Sequence, residues 1–295
     1  LKKIGATVLY LTPFFPAFSN HRYDAASFDE VDPLLGGNKA LSSLVKSAHS
    51  MGLKVMGDLT ANHSGDKHQW FVAAHKKPAA KESDFYYFTD RNTKYESWWG
   101  VPSLPKFNWN SSDLKDRFIR GKDSVVAKWL KAPYQLDGWR IDVANMTGKI
   151  RDEDHSTEVA DSIRLTMNSV NPDSFLIGEF TSDAAESIQG KNYQAAMTYS
   201  NFTRPVWRWL WNQEVKTEEN QIGPGRKGIT AEQFRELHTS FASIFPWHVR
   251  LHNLNALDTH DTGRFKTFAI PDSQRVAAGL QFTMPGIPMI FAGDE

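Results

Sequence analysis

Gly138-Trp139-Arg140-Ile141-Asp142-Val143-Ala144-Asn145 is a short apolar run in which an arginine and an aspartate stand two positions apart. Side chains alternate between faces along a strand, so Arg140 and Asp142 point the same way. Comparable runs occur at residues 6–11, 54–58, 175–178, 195–197, 254–257 and 288–291. Their length and their β-branched or aromatic content suit strands buried on both faces. Between them lie stretches with helical periodicity: 40–51, with Leu41, Leu44, Val45 and Ala48 on one face and Gly52 just beyond, then 113–131, 158–170, 231–244 and 273–283. Strand and helix in alternation predict an α/β fold with a parallel sheet. The seven candidate strands are one short of a (β/α)8 TIM barrel, and both chain ends fall at barrel-unit boundaries. The expected fold is therefore such a barrel without its first strand and last helix. A barrel opened in that way has two unpaired edges, so these residues in isolation are expected to fold poorly until the missing elements are restored.

Residues 64–110 form a connection too long for a simple loop and include Phe85-Tyr86-Tyr87-Phe88 and Trp98-Trp99-Gly100. A structureless insertion of that length is unusual, which predicts a small inserted domain after the third barrel strand. The expected organisation is barrel over 1–63, inserted domain over 64–110 and barrel again over 111–295.

Composition removes several classes of function. The chain has 295 residues, 40% of them hydrophobic and 23% charged, with 34 Lys and Arg against 34 Asp and Glu. That is a globular composition, and its zero net charge supplies no general attraction for nucleic acid or an anionic membrane. Neither partner is expected. Cysteine is absent, which excludes disulfides, Cys-ligated metals and thiol nucleophiles. No Gly-rich phosphate-binding turn follows any candidate strand, which argues against a dinucleotide- or phosphate-binding protein.

In a parallel barrel the site forms where strands run into the following loops. The sequence places polar groups there repeatedly: Asp58 to His63, Arg140 and Asp142, Glu179 after Leu176-Ile177-Gly178, and His260-Asp261 after Leu257-Asp258-Thr259. An arginine beside Asp142 favours its ionised form and suits it as a nucleophile. Glu179, preceded by apolar residues, could keep its proton and act as general acid. Two carboxyl groups with opposite duties are what glycosidic cleavage requires, with Asp261, His260 and His63 available for sugar hydroxyls.

At these four segments, in order and at plausible separations, the chain resembles the α-amylase family of glycoside hydrolases. The resemblance implies Asp142 as nucleophile, Glu179 as acid/base, Asp261 as transition-state stabiliser and Arg140 as the group orienting Asp142. It also implies that His63 and His260 bind hydroxyls of the reacting glucose and that Tyr23 stacks on its ring. Ser103-Leu104-Pro105-Lys106-Phe107-Asn108, His21-Arg22-Tyr23-Asp24 and Met197-Thr198-Tyr199 resemble the neopullulanase, cyclomaltodextrinase and maltogenic amylase branch. Met146 and Thr181 depart from it, where Glu and an aromatic are usual.

The implied activity is retaining hydrolysis of α-1,4-glucosidic bonds, with α-1,6 bonds open, in maltooligosaccharides, cyclodextrins, pullulan or starch. Transglycosylation through the same intermediate and a non-catalytic barrel relative are the alternatives. No cofactor is needed for the chemistry; Asn62 is a candidate ligand for a structural Ca2+, without an acidic loop to support it. Location and oligomeric state both stay open, the branch resemblance favouring the cytoplasm. The aromatics at 85–88 and at Trp98 and Trp99 read as inserted-domain core rather than as sugar platforms, while Asn110-Ser111-Ser112 and Asn201-Phe202-Thr203 match glycosylation triplets.

Overall fold

The computed structural model describes residues 1–182, 184–185, 187–215 and 228–295. All seven strands read from the sequence are present: Val8–Tyr10, Lys54–Leu59, Gly138–Ile141, Phe175–Phe180, Ala195–Thr198, Leu254–Ala256 and Ile287–Met289. They follow one another in chain order, the parallel arrangement that helical crossovers impose. Two compact units divide the chain, Leu1–Leu176 and Ile177–Glu295.

In the first unit, Val8 pairs with Lys54, and Asp58 pairs with Arg140. That register sets Asp58 and Arg140 side by side on one face. Phe175 opens the next strand by donating its N–H to the Asp137 carbonyl at 2.9 Å. The approach is so close that a Cβ on Gly138 would fall 2.2 Å from the Phe175 carbonyl oxygen, so only glycine fits there. The helix Gly37–Ser50 buries Leu41, Val45 and Ala48, but Leu44, read as part of that face, is exposed. Trp109, Trp129, Trp139, Phe28 and Phe118 form a wholly buried aromatic core. Several of its rings meet edge-on, as Phe28 and Phe118 do at 5.2 Å, the geometry their quadrupoles favour.

The single helix expected over 113–131 is instead three pieces. An α-turn at Ser112–Lys115, capped by the Ser111 hydroxyl, runs into a π-turn at Asp116–Arg120. Gly121 then leaves the helix in an extended conformation, and Ser124 caps a new turn at Val125–Lys128. The glycine and the second capping serine outweigh the apolar periodicity.

Within 64–110, a helix at Gln69–Ala74 and a hairpin of Phe88–Thr89 with Lys94–Tyr95 are held around Phe71, whose ring lies 5.1 Å from Tyr86 and 4.8 Å from Tyr95. Phe85 and Tyr86 are buried as expected. Trp99 is not: it is 77% exposed, in left-handed backbone, with its ring stacked 5.0 Å from Trp98. Single bridges pair His63 with Lys106 and Tyr86 with Phe107, tying the segment back to the end of Lys54–Leu59.

In the second unit Glu179 pairs with Met197, and Asn255 with Pro288. Phe202, Val206, Trp207, Phe234, Phe265 and Ala277 form its core. The helix Ala231–Ile244 starts where the sequence reading put it, because Thr230 and Gln233 make a reciprocal capping box. Asn201 is buried, so the triplet it heads cannot accept a glycan in the folded chain.

Candidate active site

Asp58 and Arg140 are fully buried and face each other from adjacent strands, and Asp142 follows at the strand end. Arg140 Nη1 donates to both Asp58 oxygens, at 3.0 and 2.8 Å, and to Asp142 Oδ1 at 3.1 Å. It also reaches the Tyr23 hydroxyl at 3.2 Å, which in turn donates to Asp58 Oδ2 at 2.9 Å. Tyr10 adds a further hydroxyl to the same Asp58 oxygen. One guanidinium therefore serves two carboxylates in a water-poor setting, where such bonds are strong and directional. Burial, with the Asp58 charge behind it, raises the Tyr23 phenol well above its ordinary range, so it stays a neutral donor. Directly after Asp142, Val143 has φ +38°, a conformation a β-branched residue adopts only under constraint.

His63 meets that network only at the Tyr23 backbone, and its side-chain partners are different. Its Nδ1 lies 3.0 Å from Asn62 Nδ2, and Nε2 is buried with no hydrogen bond of good geometry among the described residues. Asn62 Oδ1 accepts from the buried Lys106 ammonium, which also donates to the Met146 carbonyl at 2.9 Å. Burial first and the Lys106 charge second push His63 down to about 3, and burial pushes Lys106 down to about 8. Met146, a departure from the branch pattern, thus serves here through its backbone. The carbonyl that a cation would seek on Asn62 is taken by an ammonium, so these residues do not fit a Ca2+ site.

In the second unit Glu179 is buried on its strand. His260 and Asp261 sit together, Nε2 to Oδ2 at 3.3 Å, and the Tyr199 hydroxyl donates to the same Asp261 oxygen at 3.2 Å. Thr259 organises the turn: its hydroxyl accepts the Asp261 N–H at 3.1 Å and lies 3.1 Å from the Tyr199 hydroxyl. The Asp261 side chain is 52% exposed, in contrast with the buried acids of the first unit. Asp258, just upstream, is raised to about 7 by burial and by a hydrogen bond shared with Asp294, while its Oδ1 accepts the Phe265 N–H at 2.7 Å. Thr181, the other departure from the branch pattern, offers its carbonyl to Ser200 Oγ and Arg204.

Sequence reasoning did not assign roles to Asp58, Tyr10, Lys106, Tyr199 or Thr259. For Asp58 the signal was available, since it ends its strand as Asp142 does; Tyr10 and Lys106 needed the register and the bridge to His63.

A family profile described as alpha amylase, catalytic domain, matches residues 1–295. Neopullulanase 2 of Thermoactinomyces vulgaris is 30% identical over the whole chain, which covers 47% of that protein. The cyclomaltodextrinase of Geobacillus thermopakistaniensis is 29% identical, again over the whole chain and 47% of the relative. The chain thus spans about half the length of these relatives. Among solved structures, the debranching enzyme from Nostoc punctiforme superposes with a TM-score of 0.84 at 26% identity, over 99% of this chain and 60% of that one.

Proposed function

Because the chain belongs to the α-amylase catalytic-domain family, we propose that it cleaves α-1,4-glucosidic bonds with retention of configuration. The observation that carries this reading is Asp142, fixed at a strand end by an arginine that a second buried carboxylate holds in place. Asp142 attacks the anomeric carbon as the glycosidic bond breaks, and Glu179 gives its proton to the departing oxygen. Water then releases the glycosyl ester, handing a proton back to Glu179. Asp261 supports the positive charge that develops on the sugar ring, and His260, His63 and Tyr23 grip its hydroxyls and face. The preference is for short or cyclic α-glucans, because residues 64–110 leave the barrel beside His63 and wall the substrate path. The names of relatives that act on pullulan and cyclomaltodextrin support the same class. No step needs a metal, and Asn62 is a poor ligand for one. Transfer to a sugar acceptor uses the same intermediate; a non-catalytic role sits badly with an acid set that is complete.

NMR of the first product released from an α-linked glucan by the full-length enzyme should show the α-anomer, and an inverted product sinks the role of Asp142. Asp142→Asn should lower kcat by on the order of 10⁴-fold with the fold intact. Comparing kcat/KM on cyclodextrin, pullulan and starch tests the substrate preference: a clear advantage for starch removes it.

A further inference from the structure

The Lys106 ammonium has only protons to give, and it gives one to Asn62. The oxygen of the Asn62 amide must therefore face Lys106, and its NH2 must face His63. The His63 atom in contact with that NH2 is Nδ1, at 3.0 Å, which consequently accepts. A neutral imidazole with an accepting Nδ1 carries its proton on Nε2. Here Nε2 is buried with no hydrogen bond of good geometry among the described residues, while the Tyr23 backbone carbonyl stands beside the ring as an acceptor. We propose that Lys106 is a positioning residue that acts through Asn62 to hold His63 as the Nε2–H tautomer, a neutral donor toward an oxygen of the substrate.

The surroundings favour this arrangement. His63, Asn62 and Lys106 are all buried, so none of the three can trade its partner for water without cost. The Met146 carbonyl takes a second Lys106 proton and keeps the ammonium from swinging away. The same positive charge, together with burial, keeps a second proton off His63, so the group stays a donor on one side only. The inference deepens the proposed function only in naming a substrate hydroxyl as the recipient; the tautomer itself is independent of that reading.

Two-bond 1H–15N spectra of the 15N-histidine-labelled protein, with His63 identified from His63→Gln, report which nitrogen is protonated. The native protein should show Nε2–H alone. Lys106→Met frees the amide to turn, and Nδ1–H should appear. Asn62→Asp keeps a partner for Lys106 but offers His63 only acceptors, so Nδ1–H should dominate even if Lys106→Met fails to fold. Both variants should lose on the order of tenfold in kcat/KM, and Lys106→Arg should recover part of it. Native His63 protonated on Nδ1, or variants that leave the Nε2–H signature unchanged, would overturn the proposal. A changed tautomer with unchanged kcat/KM would uphold the relay and instead remove His63 from the substrate contacts.

Discussion

Asp142 in the first unit and Asp261 in the second are held in opposite ways, while Glu179 in the second is buried like the acids of the first. In the first, Asp58 and Asp142 are buried with Arg140, and two tyrosine hydroxyls bond to Asp58. In the second, Asp261 stands half in solvent on a short turn, steadied by Tyr199, Thr259 and His260. A buried charge network fixes geometry but fails badly when its counter-charge is removed, because the like charges left behind cannot be solvated. An exposed acid costs little to hold and little to lose. At Asp142 chemistry is therefore coupled to stability, and at Asp261 the two are largely separate.

Arg140→Met is the harshest way to break the contrast. It leaves two carboxylates facing each other without a counter-charge and should cost about 3–5 kcal/mol of stability. Asp261→Asn should shift stability by less than about 0.5 kcal/mol while still lowering kcat. Thermal melts of the two variants check both figures; a comparable loss in each would show that exposure is not what separates Asp261 from the buried network.

Acidity sharpens the comparison through its sign. His63 and His68 are both held at about 3 by burial, far below the ordinary 6.5. Between those values the unfolded chain binds protons that the folded chain refuses. Their contribution is complete above pH 6.5 and drains away as pH falls toward 3, by up to about 1.4 kcal/mol per pH unit for each. Asp258 in the second unit runs the other way: raised from 3.8 to about 7, it keeps a proton the unfolded chain releases. Its contribution is complete below pH 3.8 and is lost as pH rises to 7. His238, lowered by burial, acts within the second unit in the sense of the other histidines. Hydrogen exchange at each unit, corrected for intrinsic rates, should show the first unit loosening in acid. Asp258→Asn should favour the second unit more at pH 7 than at pH 4. A variant whose effect is the same at both values would rule out the shared proton.

The smallest effect should come from Trp99, whose exposed ring offers a sugar-stacking face beside Trp98 and, through it, His63 at 6.2 Å. Trp99→Ala should leave the melting temperature almost unchanged and raise KM a few-fold for longer glucans, since an exposed aromatic contributes about 1 kcal/mol when it stacks. A large loss of stability would return Trp99 to the core role that its sequence neighbourhood suggested.

The seven strands, most of the long helices and the order of the site-bearing segments were legible because period, length and capping are local properties of the chain. The breaks at Gly121 and Ser124 were missed where local turn chemistry overrode periodicity. The outward turn of Leu44 and the exposure of Trp99 were missed because a hydrophobic residue does not announce which neighbours it will find. Arg140 and Asp142 could be placed on one face from their spacing alone. That Asp58 closes on the same guanidinium depended on the register of two strands separated by a helix and an insertion. The placement of Lys106 behind Asn62 and His63 likewise came from a single bridge between distant segments. The sequence by itself determined which chemical groups the protein owns and which local elements present them. Tertiary structure decided which groups became partners and which lost their water, because pairing and burial depend on residues far away along the chain.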